Sequence, residues 1–383
     1  MIVHVIRQFL PNLGGLEDVV SNLARKTIER GFRVRVITLD SLFTEQGKTL
    51  PAHEYIDDIE VVRIPWIGSS RYPIAPQVFR HLDDADVVHV HAIDFFYDAL
   101  SWGRLFHRKP MVVTTHGGFF HTNRYSFIKK LWFQSLTRVS ALGYRKVIGC
   151  SVPDVRRFSE IAPERTILID NGADIGKFAN CASSTPRRRI VTIGRFSTNK
   201  RLDNLLETVA VLRSRNTDWH IDVIGVESDL TRRDLVQHIE RLRLEDAVSI
   251  HVAAHNDAIG DLIGNSSIFA SASDYEGFGI VALEAMSAGL LPVLNANAAY
   301  SALAERHTSL RLTNFNEAER AADDVESAFD SLMADCATIR ENLIAEVRPY
   351  LWDVVADKYM GVYCEILGAD MNPLSAAAKS RAV

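Results

Sequence analysis

Short apolar runs rich in β-branched residues recur along nearly the whole chain, each followed by a helical pattern, and few folds satisfy that alternation. Ile2–Arg7, Val34–Leu39, Val61–Ile64, Val87–Val90, Met111–Thr115 and Lys146–Cys150 form one series. Ile190–Gly194, Trp219–Ile224, Val248–Val252, Ser267–Ala272 and Leu291–Leu294 form a second. Runs apolar at nearly every position suit strands buried on both faces, and strands alternating with helices suit parallel sheets covered on both sides. Between the series the texture changes: Asn171-Gly172-Ala173-Asp174 is turn chemistry, and the polar Ala182–Arg189 reads as a linker. The prediction is an α/β chain of two doubly wound, Rossmann-like units, residues 1–172 and 188–349, with a frayed tail over 368–383. A length of 383 residues suits two such cores, and sheets of this kind bind ligands at the carboxyl ends of their strands.

Composition narrows the function classes. A formal charge of -5 gives no general reason to expect nucleic acid as a partner. Met1–Arg7 is too short an apolar run for a signal peptide, and no stretch approaches the length of a membrane-spanning helix. Cys150, Cys181, Cys336 and Cys364 are far apart and lack metal-ligand spacing, so they read as free thiols of a cytoplasmic protein.

Several segments carry residue types suited to chemistry. In Asp274–Met286 a turn holding two glycines and Glu276 precedes the helical run Ile280–Gly289, with Glu284 about one turn inside it. Glycine lets backbone approach a ligand closely, and a helix start offers free N–H groups to an anion. Gly14-Gly15-Leu16-Glu17 opens the first helix in the same manner, although it lacks the third glycine of a dinucleotide fingerprint. Gly194-Arg195-Phe196-Ser197-Thr198-Asn199-Lys200 ends a strand; Arg195 can grip a diphosphate with two parallel hydrogen bonds, and Lys200 adds a point charge. Thr114-Thr115-His116-Gly117-Gly118 puts an imidazole at a strand's carboxyl end, where it can bond a sugar hydroxyl or handle a proton. His89 and His91 share one strand face, with His91 nearer the strand end and His89 suited to packing. From His121 to Gly149 there is no acid. Ile128, Leu131, Trp132, Ser135, Val139 and Leu142 fit a buried helical stripe, while Lys130 and Arg138 fall on another side, with Lys129 and Phe133 close by. Basic and aromatic helices of this kind can lie on an anionic lipid surface. Taken singly, each segment also suits an ordinary turn, a packed histidine or a solvated basic face.

Together the motifs Gly14-Gly15-x-Glu17, Asn171-Gly172-Ala173-Asp174, Gly194-Arg195-x4-Lys200 and Glu276-x7-Glu284 resemble those of the retaining glycosyltransferases of family GT4, or group 1. That family has the GT-B fold, two Rossmann-like domains facing a cleft. Val5–Phe9, Gly68–Pro76, Asp94–Asp98, Thr115–Thr122 and Glu276–Ile280 with Glu284–Leu290 are similar, more narrowly, to the branch of α-mannosyltransferases in xanthan and acetan assembly. The resemblance implies transfer of mannose from GDP-mannose to a polyprenyl-diphosphate-linked, cellobiosyl-like glycan through an α-1,3 bond. It implies no cofactor or metal ion, and a peripheral location on the inner face of the cell membrane.

Residue by residue, it assigns the diphosphate to Arg195 and Lys200, helped by N–H groups around Gly15 and the Phe278-Gly279 turn. Glu276 would meet the mannose near its anomeric carbon, Glu284 the ribose, and His116 the transferred sugar; Ser151 matches a serine of the family. Tyr350–Leu367 resembles the family's closing helix, which returns to the first domain. Asn295-Ala296-Asn297-Ala298-Ala299-Tyr300 departs from the pattern, because many members carry a glycine pair and an acid there. Two alternatives stand beside this reading: the same fold with another nucleotide sugar such as UDP-glucose, and a nucleotide-sugar-binding protein without catalysis.

Overall fold

The continuous apolar runs become inner strands of two parallel sheets. In the computed structural model, which describes residues 1–12, 14–45, 47–116 and 131–368, one unit holds Met1–Gly172 with the segment from Trp352, and the other holds Ala173–Leu351. The expected frayed tail lies outside the described residues from position 369.

The first unit contains β1 (Ile2–Val5), β2 (Val34–Leu39), β3 (His53–Ile56), β4 (Ile59–Ile64), β5 (Ile67–Ser69), β6 (Tyr72–Ile74), β7 (Val87–His91), β8 (Met111–Thr114), β9 (Lys146–Gly149) and β10 (Thr166–Leu168). Eight of these form a sheet in the order β10-β9-β8-β7-β1-β2-β4-β3, parallel except where β3 meets β4. β5 and β6 make a separate antiparallel ribbon. The helix Gly15–Glu29 buries Val19, Val20, Leu23 and Ala24. The helix Trp352–Leu367 buries Val355, Ala356, Tyr359 and Tyr363 in the cluster that includes Ile2, Val87, Val112 and Ile148 of the sheet.

The second unit contains β11 (Arg189–Ile193), β12 (His220–Gly225), β13 (Val248–Val252), β14 (Ile268–Ser271), β15 (Leu291–Asn295) and β16 (Arg311–Thr313), all parallel in the order β13-β12-β11-β14-β15-β16. Its core runs from Ala173 to Tyr350.

One expectation needs correcting. Residues 173–187, which include most of the expected linker, pack into the second unit. Ala173, Ile175, Phe178 and Ala182 belong to its core. Asn180 and Ala182 donate backbone N–H groups to Ser287 and Ala288 at 2.9 and 2.8 Å. The buried Arg340 donates to the carbonyls of Ala182 and Ser183 and to Asn180 Oδ1. A polar, turn-rich stretch looks like a linker because its composition does not reveal that its backbone groups have partners.

The topology marks one place in each sheet. In the first unit the chain runs outward from β1 through β2 to β4, then restarts at β7 and runs the other way. In the second, it runs from β11 to β13 and restarts at β14. Where strand order reverses, the connections at the carboxyl ends diverge and leave a crevice. These positions are β1/β7 and β11/β14. Among the described residues, no helix is long and apolar enough to cross a membrane.

Candidate active site

At the β11/β14 crevice two loops are stitched together. Asp274 donates its N–H to the Asn199 carbonyl at 3.0 Å, and Asn199 Nδ2 donates to the Tyr275 carbonyl at 2.9 Å. Beside them Lys200 Nζ donates to Glu276 Oε1 at 2.5 Å. The sequence placed Lys200 and Glu276 in separate motifs, and the fold makes them an ion pair. Both are half-buried, where such a pair is less screened than at an open surface. An ammonium has three N–H donors, so Lys200 can hold Glu276 and still bond an anion.

Tyr300 completes this wall, and its hydroxyl is 3.3 Å from Glu276 Oε1 and 3.0 Å from Ser271 Oγ. Burial and the Glu276 charge push the Tyr300 hydroxyl pKa up, so it is a neutral donor. Asn295 and Asn297 both donate side-chain N–H groups to the Ser273 carbonyl, at 3.2 and 2.9 Å. The Asn295–Tyr300 segment, divergent in sequence, therefore braces the Glu276 loop. Sequence reasoning missed Tyr300; its only signal was a lone aromatic in an otherwise small and polar run.

Gly279 caps the helix Ile280–Ala288 with φ +86°, and a Cβ there would come within 2.9 Å of Tyr300 and Leu303. Glycine is needed for both reasons. Phe278 turns its ring onto Tyr350 at 5.9 Å, so its side chain packs while the backbone beside it opens the helix. Glu284 lies half-buried one turn further on. Arg195 is exposed, and among the described residues no ion pair holds it; its charge helps keep the nearby Asp229 carboxyl pKa low, after the bonds that Asp229 accepts from Thr198.

In the first unit the helix Gly15–Glu29 starts without a side-chain cap. Glu17 takes a bond from Asn12 Nδ2 at 2.7 Å and lies so close to Gly14 that a Cβ there would be 2.5 Å from its Oε2. The acid of this motif thus packs over the first glycine and leaves Gly15 open.

His116 follows β8 with φ +50°, uncommon for a residue with a side chain and a form of strain that collects at functional sites. Its Nε2 is 3.1 Å from His91 Nδ1, and His91 Nε2 is 2.9 Å from His4 Nδ1. His91 was expected near the strand end and within reach of a ligand. It is only 1% exposed, because β1 and β8 flank it, so it meets His116 instead. Burial lowers the pKa of His4 and His116 to about 3, and burial with neighbouring imidazoles takes His89 and His91 well below the ordinary value. His4, His89 and His91 lie close enough to share a metal ion. However, both nitrogens of His89 already meet the Tyr363 and Thr114 hydroxyls at 2.6 and 2.8 Å, and both of His91 meet His4 and His116, so of the three residues only His4 keeps a nitrogen, Nε2, outside a hydrogen bond. Ser151 Oγ caps the helix Val152–Ser159 by accepting from Asp154 N at 3.4 Å.

The basic segment also differs from expectation. Lys129 and Lys130 lie outside the described residues. Phe133 is buried against Phe158, whereas Leu131, Trp132, Val139 and Leu142, read as a buried stripe, are exposed together with Arg138. Both sides of this segment are apolar, and the wider turn over Phe133–Thr137 shifts its faces from ideal helical spacing.

Comparison with known proteins agrees with this geometry. Residues 177–345 match the family model "Glycosyl transferases group 1", and residues 13–177 match "Glycosyltransferase Family 4". Two similar relatives are named GDP-mannose:cellobiosyl-diphosphopolyprenol alpha-mannosyltransferase. That of Komagataeibacter xylinus is 39% identical, covering 98% of this chain and 96% of the relative. That of Xanthomonas oryzae pv. oryzae is 41% identical, covering 96% and 97%. Among solved structures, a glycosyltransferase from Rickettsia africae has a TM-score of 0.74 at 19% identity, over 96% of this chain and 99% of that one, a likeness of fold. With two parallel-sheet units and relatives near 40% identity along almost its whole length, this chain belongs to the family 4, or group 1, glycosyltransferases.

Proposed function

We propose that this chain transfers mannose from GDP-mannose to a polyprenyl-diphosphate-linked, cellobiosyl-like glycan, with retention and an α-1,3 bond, in exopolysaccharide assembly. The carrying observation is 39–41% identity, over nearly whole chains, to enzymes whose names state this donor and this acceptor type. Arg195 and Lys200 hold the diphosphate, supported by backbone N–H groups near Gly15 and Gly279. Glu276 meets the mannose, Glu284 the ribose and His116 the transferred sugar. Ser151 supports the acceptor side. The bond from the anomeric carbon to the phosphate oxygen breaks as the acceptor oxygen bonds to the same face. The acceptor's hydroxyl proton passes to the departing phosphate oxygen. Fixed cations stabilise that leaving charge, and this chemistry calls for no metal ion.

The test is turnover with a panel of nucleotide sugars and lipid-linked disaccharides. GDP-mannose with a cellobiosyl acceptor should give the highest kcat/KM, and preference for UDP-glucose would favour the other donor. A protein that binds donor without turnover would be the non-catalytic alternative.

The same reading places the chain on an anionic membrane surface, at the inner face of the cell membrane. Leu105 and Phe106 are 82% and 88% exposed beside Arg104 and Arg108, which are exposed too. The preceding helix end bonds the other apolar segment through Ser101 Oγ to the Ser140 carbonyl at 2.6 Å. Trp132, Leu142 and Arg138 of that segment are exposed as well. Burying a large apolar side chain is worth about 1.5–3 kcal/mol. Leu105→Ser with Phe106→Ser should therefore weaken binding to anionic vesicles by at least tenfold in co-sedimentation. Unchanged binding would remove this surface from the membrane role.

A further inference from the structure

His4, His91 and His116 form one unbranched chain of imidazoles at the β1/β7 crevice, linked at 2.9 and 3.1 Å with ring centroids 5.2 and 5.3 Å apart. We propose that His4 and His91 are positioning residues that fix the tautomer of His116, keeping its proton on Nδ1 and its Nε2 as an acceptor.

A neutral imidazole has one N–H and one bare nitrogen, so each link needs a donor facing an acceptor. Only two arrangements of the chain meet that condition. In the first, His4 Nδ1–H donates to His91 Nε2, His91 Nδ1–H donates to His116 Nε2, and His116 carries its proton on Nδ1. In the second, every proton sits on Nε2 and every bond runs the other way. The far end decides between them. His4 Nε2 is sealed from solvent and has no hydrogen-bond partner. The second arrangement makes it an orphaned N–H inside the core, and the first makes it an unused lone pair. Buried N–H groups without partners are the rarer case, because the donor loses water and gains nothing. The first arrangement is therefore the ground state, and the tautomer is set by a residue two imidazoles away.

This has a consequence for chemistry, which rests on the reading that His116 contacts the transferred sugar. The nitrogen His116 has left for a ligand is an N–H donor. It offers a hydrogen bond to an oxygen and does not act as a base. His89 stands outside the chain because Tyr363 and Thr114 occupy its nitrogens.

Two-bond ¹H–¹⁵N correlation spectra of histidine-labelled full chain at pH 7.5 test this, with His116 assigned from His116→Asn. The expected result is a protonated Nδ1 and a bare Nε2. A proton on Nε2 overturns the proposal, whether or not any variant folds. His4→Asp sets a carboxylate, which accepts and does not donate, at the place of His4 Nδ1. It should draw the His91 proton to Nε2 and reverse both bonds, so that His116 carries its proton on Nε2. A folded His4→Asp protein in which His116 keeps its proton on Nδ1 also overturns the proposal. Because the spectra need no substrate, an error in the assigned donor or acceptor would leave this result standing.

Discussion

Lys200→Ala should lower kcat/KM for mannosyl transfer by about 10²–10³-fold, the cost of removing one preorganised stabiliser of developing charge. Two effects act in the same direction. The ammonium that would share the leaving diphosphate's charge is lost. The Glu276 carboxylate, bonded to that ammonium at 2.5 Å, is left uncompensated beside the same anion. Glu276→Ala should cost about 10²-fold, since Lys200 survives but nothing orients it. Because the two residues act as a unit, the double variant should be no worse than Lys200→Ala within a factor of about five; independent roles would multiply the losses. Tyr300→Phe removes one 3.3 Å bond to Glu276 and should cost only about three- to tenfold. Initial rates over a range of donor concentrations give these values, with circular dichroism confirming that each variant folds. Retention of activity within threefold by Lys200→Ala, or multiplicative losses in the double variant, would remove the pair from the site.

That pair also shows where sequence reading stops. Lys200 and Glu276 were each legible as chemistry-bearing residues from the glycines and helix starts beside them. Their contact was not, because 76 positions separate them and it exists only since β14 lies next to β11 rather than beside β13. Strands buried on both faces were visible as apolar runs. The exposed or short β3, β5, β6, β10 and β16 were not, because alternation and composition are too weak over three or four residues. His4 illustrates the limit differently. Its strand was plain, but its part in the imidazole chain follows from a register that pairs it with His89, two residues from His91. Over Leu131–Leu142 the periodicity was real and the inference of burial failed, since spacing identifies a stripe without saying which side meets the core.

The first unit should lose stability steeply as pH falls below about 6.5, the ordinary value for histidine. His4, His89 and His91 are at most 1% exposed, and burial holds their folded pKa values well below that. The unfolded chain therefore binds more protons than the fold between those values and 6.5. Their contribution is fully present above pH 6.5 and falls away as acid is added. At pH 5 the neutral His4 imidazole costs about 2 kcal/mol relative to pH 7.5, and His89 and His91 act in the same direction. His116, lowered to about 3 by burial, acts in the same direction. Asp94 opposes the trend: burial raises its folded pKa to about 7 against the pull of Arg7, so its destabilising charge is relieved on acidification. That returns about 2 kcal/mol between pH 7.5 and 5. Four imidazoles act against one carboxyl, so acidification brings a net loss of stability. Denaturant unfolding across pH 5–8, followed by a probe in the first unit, should show this slope. Asp94→Asn removes the offset and should steepen it, while His4→Asn removes one imidazole's loss of about 2 kcal/mol and should flatten it. A stability that stays level from pH 7.5 to 5 in the unaltered chain would mean that these histidines are already solvated in the fold.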